Sequence, residues 1–252
     1  MRFALLPALL LQTTLLMASE EPFDAFEDDL ASEFEAEFAK SGNANTFDPL
    51  SDYNRVMTGF NDTFYTKVVF PVARGYEDVV HEEARLSLSR FFDNLQFPIR
   101  FTNNLLQLKF QNSADELARF MVNSTLGVLG LYDPAKEWYG LEAHKEDFGQ
   151  TLGHYGVGGG FHIVLPFFGP SNLRDTLSMV PDWYIDPTIH WDGRCHNLVD
   201  NYGEGVMVKS MYILNESSFE YPKYESLKKD AIDLYPFFKN IYEQSRQKAI
   251  EE

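Results

Sequence analysis

Positive charge is scarce in this chain: 21 Lys and Arg stand against 38 Asp and Glu, a formal net charge of -17 at pH 7. No basic stripe exists to displace counterions from phosphates, which excludes nucleic acid as a partner. The same imbalance excludes charge attraction to an anionic lipid surface, so any membrane association must be apolar. Cysteine is almost missing, and Cys195 alone excludes an intramolecular disulfide framework. After the N-terminal stretch no apolar run reaches the roughly 18 residues of a conventional membrane-crossing helix.

Signatures of catalysis are missing too. The cluster His144, Lys145, Glu146 and Asp147 lacks the i, i+4 histidine pair of a zinc helix, and reads instead as a cap for a helix entering Phe148. His190, Asp192, Cys195 and His196 have the composition of a metal cluster but no matching second half. Ser171 lies in Gly169-Pro170-Ser171, outside any nucleophile elbow, and reads as the N-cap of a helix through Leu173, Leu177 and Val180. The sequence therefore predicts no metal, no cofactor and no catalytic residue.

Aromatics are abundant at 15%, with 22 Phe and 13 Tyr, and a hydrophobic content of 44% is enough for a sizeable core. Arg2, the Leu-rich Phe3 to Met17 and the small Ala18 and Ser19 read as a signal peptide over residues 1–19, with an uncleaved anchor as the alternative. Residues 20–46 form an acidic linker. Phe23, Phe26, Leu30, Phe34 and Phe38 would share one helical face there, although the charge density favours a solvated segment.

Residues 47–252 read as a mainly α domain with a C-terminal helical extension. Asp48-Pro49 signals a helix start, with Asp48 as N-cap, and Leu50, Tyr53, Met57, Phe60 and Phe64 form one face. Val68, Val72, Tyr76 and Val79 mark a second helix. Glu82 to Leu95 is a third, stopped by Pro98, and Asn103 to Phe110 a short fourth. Ser113 to Glu116 reads as a capping box opening a fifth helix that ends at Gly127. Ile189 to Leu214 and Tyr224 to Ala249 are helical in pattern, with Pro236 dividing the latter.

Between these helices, Phe148 to Leu173 holds no Asp, Glu, Lys or Arg. Its glycines and prolines break a helix, so the segment reads as a glycine turn leading into an extended run, Phe161 to Phe168, closed by Gly169-Pro170. By physics alone it fits a buried loop and strand in an ordinary core as well as a lipid-facing element.

The residues Phe148-Gly149-Gln150-Thr151-Leu152-Gly153, His154-Tyr155-Gly156-Val157-Gly158, Leu165-Pro166-Phe167 and Arg174-Asp175 resemble the signature of the MlaA/VacJ family. The likeness extends upstream through Asp48-Pro49-Leu50, Phe60-Asn61, Asn123-Ser124-Thr125-Leu126-Gly127 and Gly130-Leu131-Tyr132-Asp133. It implies a ring of amphipathic helices in the inner, periplasmic leaflet of the outer membrane, around a channel that admits phospholipid. Misplaced outer-leaflet phospholipid would pass to a periplasmic lipid carrier of the Mla pathway, with a porin trimer holding the ring. The resemblance gives Phe60 and Asn61 a gating role. It makes Gly153, His154, Tyr155, Gly156, Gly158, Leu165 and Pro166 candidate channel residues, whereas Arg174-Asp175 reads as a structural ion pair or cap in the helix after the glycine segment. The family's usual lipidated cysteine has no counterpart after the apolar N-terminal stretch, so membrane residence would rest on the folded domain. Two rival readings are a soluble periplasmic scaffold whose apolar faces are all spent on its own core, and a phospholipase, for which no nucleophile–base pair is evident.

Overall fold

Helices dominate, as the periodicity predicts. The computed structural model describes residues 48–192 and 197–252, so the signal peptide and acidic linker read from the N-terminus, together with Cys195 and His196, lie outside the described residues. In chain order the elements are α1 (Ser51–Phe64), a π-helical turn (Tyr65–Val69), α2 (Phe70–Val79), α3 (Glu82–Leu95) and α4 (Phe97–Leu106). Then come α5 (Phe110–Thr125), α6 (Pro134–Tyr139), α7 (Phe148–His154), β1 (His162–Leu165) and β2 (Gly169–Asn172). Helices α8 (Leu173–Ile185), α9 (Tyr202–Asp230) and α10 (Leu234–Glu251) complete the domain.

Packing between elements follows a closed circuit. From α1 it runs through the π turn to α2, then to α9, α3, α4, α7 and α10, and α10 returns to α1. This is the ring-like order that the family resemblance implies. The hairpin β1–β2 is antiparallel, pairing His162 with Asn172 and Leu165 with Gly169, and lies against α1, α8 and α10.

Short polar side chains start several helices. Asp147 and Gln150 form a reciprocal capping box on α7, as the sequence suggested for the His144–Asp147 cluster. Asp133 caps α6 by accepting from the Lys136 amide, Asn201 caps α9, and Asp233 accepts from Tyr235 at the start of α10.

Several sequence expectations are corrected. Asp48 does not cap α1; its carboxylate turns across the fold to the Tyr235 hydroxyl and to Lys239 Nζ at 2.8 Å. Ser113 and Glu116 open no helix, because α5 already starts at Phe110. Ser113 Oγ bonds back to the Lys109 carbonyl, and Glu116 is wholly buried against Arg100. Pro98 sits in the first turn of α4 rather than ending α3, and the short fourth helix runs from Phe97 to Leu106 rather than from Asn103 to Phe110. Proline's missing N–H is tolerated there, since first-turn amides have no intrahelical acceptor.

Asn172, not Ser171, caps α8, its side chain accepting from the Asp175 amide; Ser171 is buried in β2. Gly169-Pro170 opens the return strand instead of closing the extended run. The helix expected from Ile189 begins only at Tyr202 and continues past Leu214 to Asp230. The division near Pro236 falls at residues 231–233, leaving Pro236 in the first turn of α10.

Candidate functional site

The interior is polar. The largest side chains buried completely are Glu116, Asn54, Asn103, Asn104, Asn172, Asn215, Asp186 and Ser171, with Val164 the one apolar member of that group among the described residues. In α1 the inward stripe is Asn54, Thr58 and Asn61; in α4 it is Arg100, Asn103 and Asn104; in α5 it is Ser113, Glu116, Arg119 and Asn123. Buried polar groups are costly unless paired, and here the pairing is dense. Arg100 Nε meets Glu116 Oε2 at 2.7 Å, and Glu116 Oε1 accepts from the His144 amide at 2.6 Å. Lys109 and Gln107 share Glu146 at 2.6 and 2.7 Å, and Arg119 and Asn123 share Asp133 at 2.8 and 2.7 Å.

The signature pair Arg174-Asp175 forms the expected buried ion pair at 2.8 Å, and Arg246 of α10 joins both Asp175 at 3.0 Å and Asp147 at 2.6 Å. Burial alone would raise the Asp175 carboxyl. The Arg174 hydrogen bond and the Arg246 charge outweigh it and hold Asp175 down at about 2. Asp182 of α8 behaves oppositely. Burial first, then the neighbouring Asp147 charge, push it up to about 7, although the Phe148 amide donates to it at 3.0 Å and Asn103 at 3.0 Å.

One wall of this interior fixes the hairpin. Asn54 Nδ2 donates to the His162 carbonyl at 3.0 Å while its Oδ1 accepts from the Val164 amide at 2.8 Å. Seven residues on, Asn61 repeats the arrangement at the turn: Nδ2 to the Leu165 carbonyl at 2.9 Å, Oδ1 from the Phe167 amide at 2.7 Å. Two side-chain amides thus occupy the outer edge of β1, which has no strand beside it among the described residues. The Tyr65 hydroxyl, in the π turn, donates to the Phe167 carbonyl at 2.7 Å. Phe167 takes a left-handed φ of 66°, unusual for a bulky residue, and its ring stands edge-on to Phe60 at 5.0 Å and Phe64 at 4.9 Å.

Of the sequence-predicted site residues, Phe60, Asn61, Leu165 and Pro166 therefore come together at the hairpin turn. Phe60 is 41% exposed and Asn61 only 3%. The others gather at the end of α7. A Cβ on Gly153 would stand 2.6 Å from Ile250 Cδ1, so this glycine permits close approach of α7 to α10. His154, Tyr155, Gly156 and Gly158 are exposed, and the Tyr155 hydroxyl donates to the Leu106 carbonyl at the end of α4. Sequence reasoning gave no role to Asn54, Tyr65 or Phe167, although Phe167 lies in the quoted signature and Asn54-Arg55 stands in the upstream likeness. The usable signal for Asn54 was the Asn54, Thr58, Asn61 spacing, which puts three polar residues on one face. Among the other residues considered, His190 pairs with Asp192 at 3.3 Å, and among the described residues no three His, Cys, Asp or Glu are placed to hold a metal ion.

The exterior is the reverse of the interior. Large apolar side chains are exposed in stripes at helical spacing: Val68 in the π turn with Val72 and Val79 along α2, Leu117 and Met121 on α5, and Leu173, Leu177, Val180 and Tyr184 on α8. Helix α10 and the second half of α9 show no large exposed apolar side chain, although Ile232 between them is fully exposed. No helix among the described residues is long and apolar enough to cross a membrane.

Polar side chains paired inward and apolar stripes turned outward define a helical protein whose surface is shaped to lie against apolar material. The chain belongs to the MlaA lipoprotein family, whose model matches residues 46–249. The intermembrane phospholipid transport system lipoprotein MlaA of Escherichia coli K12 is 38% identical over 149 residues, 57% of this chain and 58% of that protein. Its namesake from Haemophilus influenzae is 30% identical over 203 residues, covering 79% and 78%. An uncharacterized protein of Rickettsia felis is 28% identical over 213 residues, covering 84% and 81%. A solved structure described as the structural basis for maintenance of bacterial outer membrane lipid asymmetry superposes with a TM-score of 0.68 at 26% identity, covering 81% of this chain and 98% of its own.

Proposed function

We propose that this protein is an outer-membrane phospholipid transfer protein. It removes phospholipid mislocalised to the outer leaflet and passes it to a periplasmic lipid carrier, so keeping the membrane asymmetric. The observation that carries this reading is the reversed polarity, a charged and amide-rich interior beneath an exposed apolar surface. A water-soluble scaffold would bury those valines, leucines and methionines instead. Family membership and the relatives' phospholipid-transport names support it.

In this reading residues 1–19 direct export, residues 20–46 link, and the ring sits in the periplasmic leaflet beside a porin trimer. Headgroups follow the polar interior while acyl chains stay on apolar wall, so transfer is passive and makes or breaks no covalent bond. Phe60 and Asn61 gate the path. Asn61 holds the turn that presents Phe167, and Phe60 packs against that ring. Leu165 and Pro166 shape the same turn, and Gly153, His154, Tyr155, Gly156 and Gly158 line the path at the end of α7.

Fractionation tests the reading. The protein is expected to stay with outer membranes through high salt and alkaline carbonate; release under either would favour the soluble scaffold. Incubation of purified protein with phospholipid should leave the lipid intact, and lysophospholipid in the mixture would revive the enzymatic alternative.

A further inference from the structure

The turn after α5 is strained and apolar at once. Val128 has a φ of 53° and Leu129 a φ of 60°. In this left-handed region an L side chain crowds the backbone, and a β-branched one does so most. The surroundings impose the conformation. Leu129 N donates to the Ser124 carbonyl at 3.1 Å, Gly130 N to Asn123 at 2.8 Å and Tyr132 N to Gly127 at 3.0 Å. From α3, Asn94 Nδ2 donates to Ser124 Oγ at 2.9 Å and to the Leu129 carbonyl at 3.3 Å. The glycines leave no slack: a Cβ on Gly127 would stand 2.4 Å from the Tyr132 carbonyl, and one on Gly130 2.5 Å from Asn94 Cβ.

This rigid frame does not bury the side chains it strains. Leu126, Val128, Leu129 and Tyr132 are all more than half exposed. From Phe120 to Tyr132 the sequence holds no charge, in a chain of net charge -17. The two charges that bound the run, Arg119 and Asp133, neutralise each other at 2.8 Å and are largely buried. Backbone amides of Leu126, Gly127, Leu129, Gly130, Leu131 and Tyr132 donate within the turn or back to α5, which lowers the cost of hydrocarbon surroundings. Trp138 and Tyr139 follow on α6, both exposed, and such amphipathic rings suit the level where chains meet headgroups.

We propose that Leu126–Tyr132 is a preformed wedge that inserts into the acyl-chain layer of a phospholipid bilayer, with Trp138 and Tyr139 marking the headgroup level. The inference rests on the membrane reading above and adds which element goes into the chains. Strained backbone persists where its surroundings over-determine it, commonly at functional segments. Here it keeps two apolar side chains turned outward without an entropy cost at insertion.

The test uses the full chain with Cys195→Ser and one introduced cysteine, Leu129→Cys on the wedge or Leu177→Cys on α8, each carrying an environment-sensitive fluorophore. Vesicles of phosphatidylethanolamine and phosphatidylglycerol contain nitroxide lipid, labelled near the headgroup or deep in the chain. The expected result is blue-shifted Leu129 emission, quenched more by the deep nitroxide than by the shallow one. Leu129→Asp should weaken vesicle binding by about tenfold or more, because a carboxylate is costly in hydrocarbon. Val128→Gly should raise Tm, since glycine accepts this φ freely, yet weaken binding. A lipid-quenched Leu177 label with Leu129 open to aqueous iodide would overturn the wedge and leave the membrane reading standing. If neither label is quenched by lipid, the membrane reading fails and takes the wedge with it. A Leu129 label shielded from iodide in native membranes but untouched by lipid nitroxides would assign the turn to a protein partner, overturning the proposal.

Discussion

Asn61 and Phe60 are neighbours in the chain with opposite tasks. Asn61 satisfies both a carbonyl and an amide of the hairpin turn, so Asn61→Ala leaves two backbone groups unpaired and should cost about 1–3 kcal/mol, read as a lower Tm. Phe60→Ala removes a half-exposed ring and spares those bonds. It should change lipid exposure on cells while Tm moves little, and equal Tm losses in both variants would contradict a gating role for Phe60.

Asp182 gives a pH prediction. Its folded pKa of about 7 lies above the ordinary 3.8, so the folded state holds a proton that the unfolded chain has released. Stability from this group is therefore complete below about pH 4 and falls as pH rises towards 7. Asp182→Asn keeps an acceptor for Phe148 and Asn103, and should raise Tm at pH 8 with the gain shrinking at pH 5. A constant difference across that range would show that Asp182 is already ionised in the fold. Asp175 has the reverse sign, contributing stability above 3.8 that is lost as pH falls through about 2. Sequence reading reached Arg174-Asp175 and Asp147 because their partners are close in the chain or set by a helix start. The role of Asn54 stayed hidden because its hairpin partners lie 108 and 110 residues away.

At the scale of elements, periodicity located helices but not which face points in. Leu50, Tyr53, Met57, Phe60 and Phe64 mark one face of α1, yet Tyr53 and Phe60 are exposed while Asn54, Thr58 and Asn61 are buried. An apolar stripe shows that a helix meets something apolar; the sequence does not say whether that is protein or lipid. Family membership supports the lipid reading proposed above. The helix ends misread around Ser113 and Ser171 share a cause, since serine and threonine also bond back to the preceding turn or pack in strands.

Two variants separate inner from outer faces. A Cβ on Gly149 would stand 2.4 Å from Asp175 Oδ1 and 2.5 Å from Arg246 Nη2, atoms pinned in a buried ion network. Gly149→Ala should therefore destabilise the protein by about 1–3 kcal/mol, seen in thermal melts. On the outer stripe, Leu177→Ser with Val180→Ser should leave the melting of detergent-purified protein within about 0.5 kcal/mol of wild type. The same pair should release part of the protein from carbonate-washed membranes. Strong destabilisation in detergent would mean that this stripe belongs to a core.

For the whole molecule, the closed circuit of helices leaves the C-terminal pair distinct. Helix α10 ties the signature to the chain end through Arg246 and Tyr242 on Asp175, and ties the start of the domain through Lys239 on Asp48. It shows no large exposed apolar residue, in contrast to α2, α5 and α8. In the proposed reading α10 faces water while the stripes on α2, α5 and α8 face lipid. The central claim is removal of misplaced phospholipid, and it is tested most directly on cells, with externally added phospholipase as a probe of surface phospholipid. Deleting the gene should raise the lipid open to attack, and restoring it should return the level to that of the parent. Unchanged exposure in the deletion strain, in cells whose parent demonstrably makes the protein, would contradict the account.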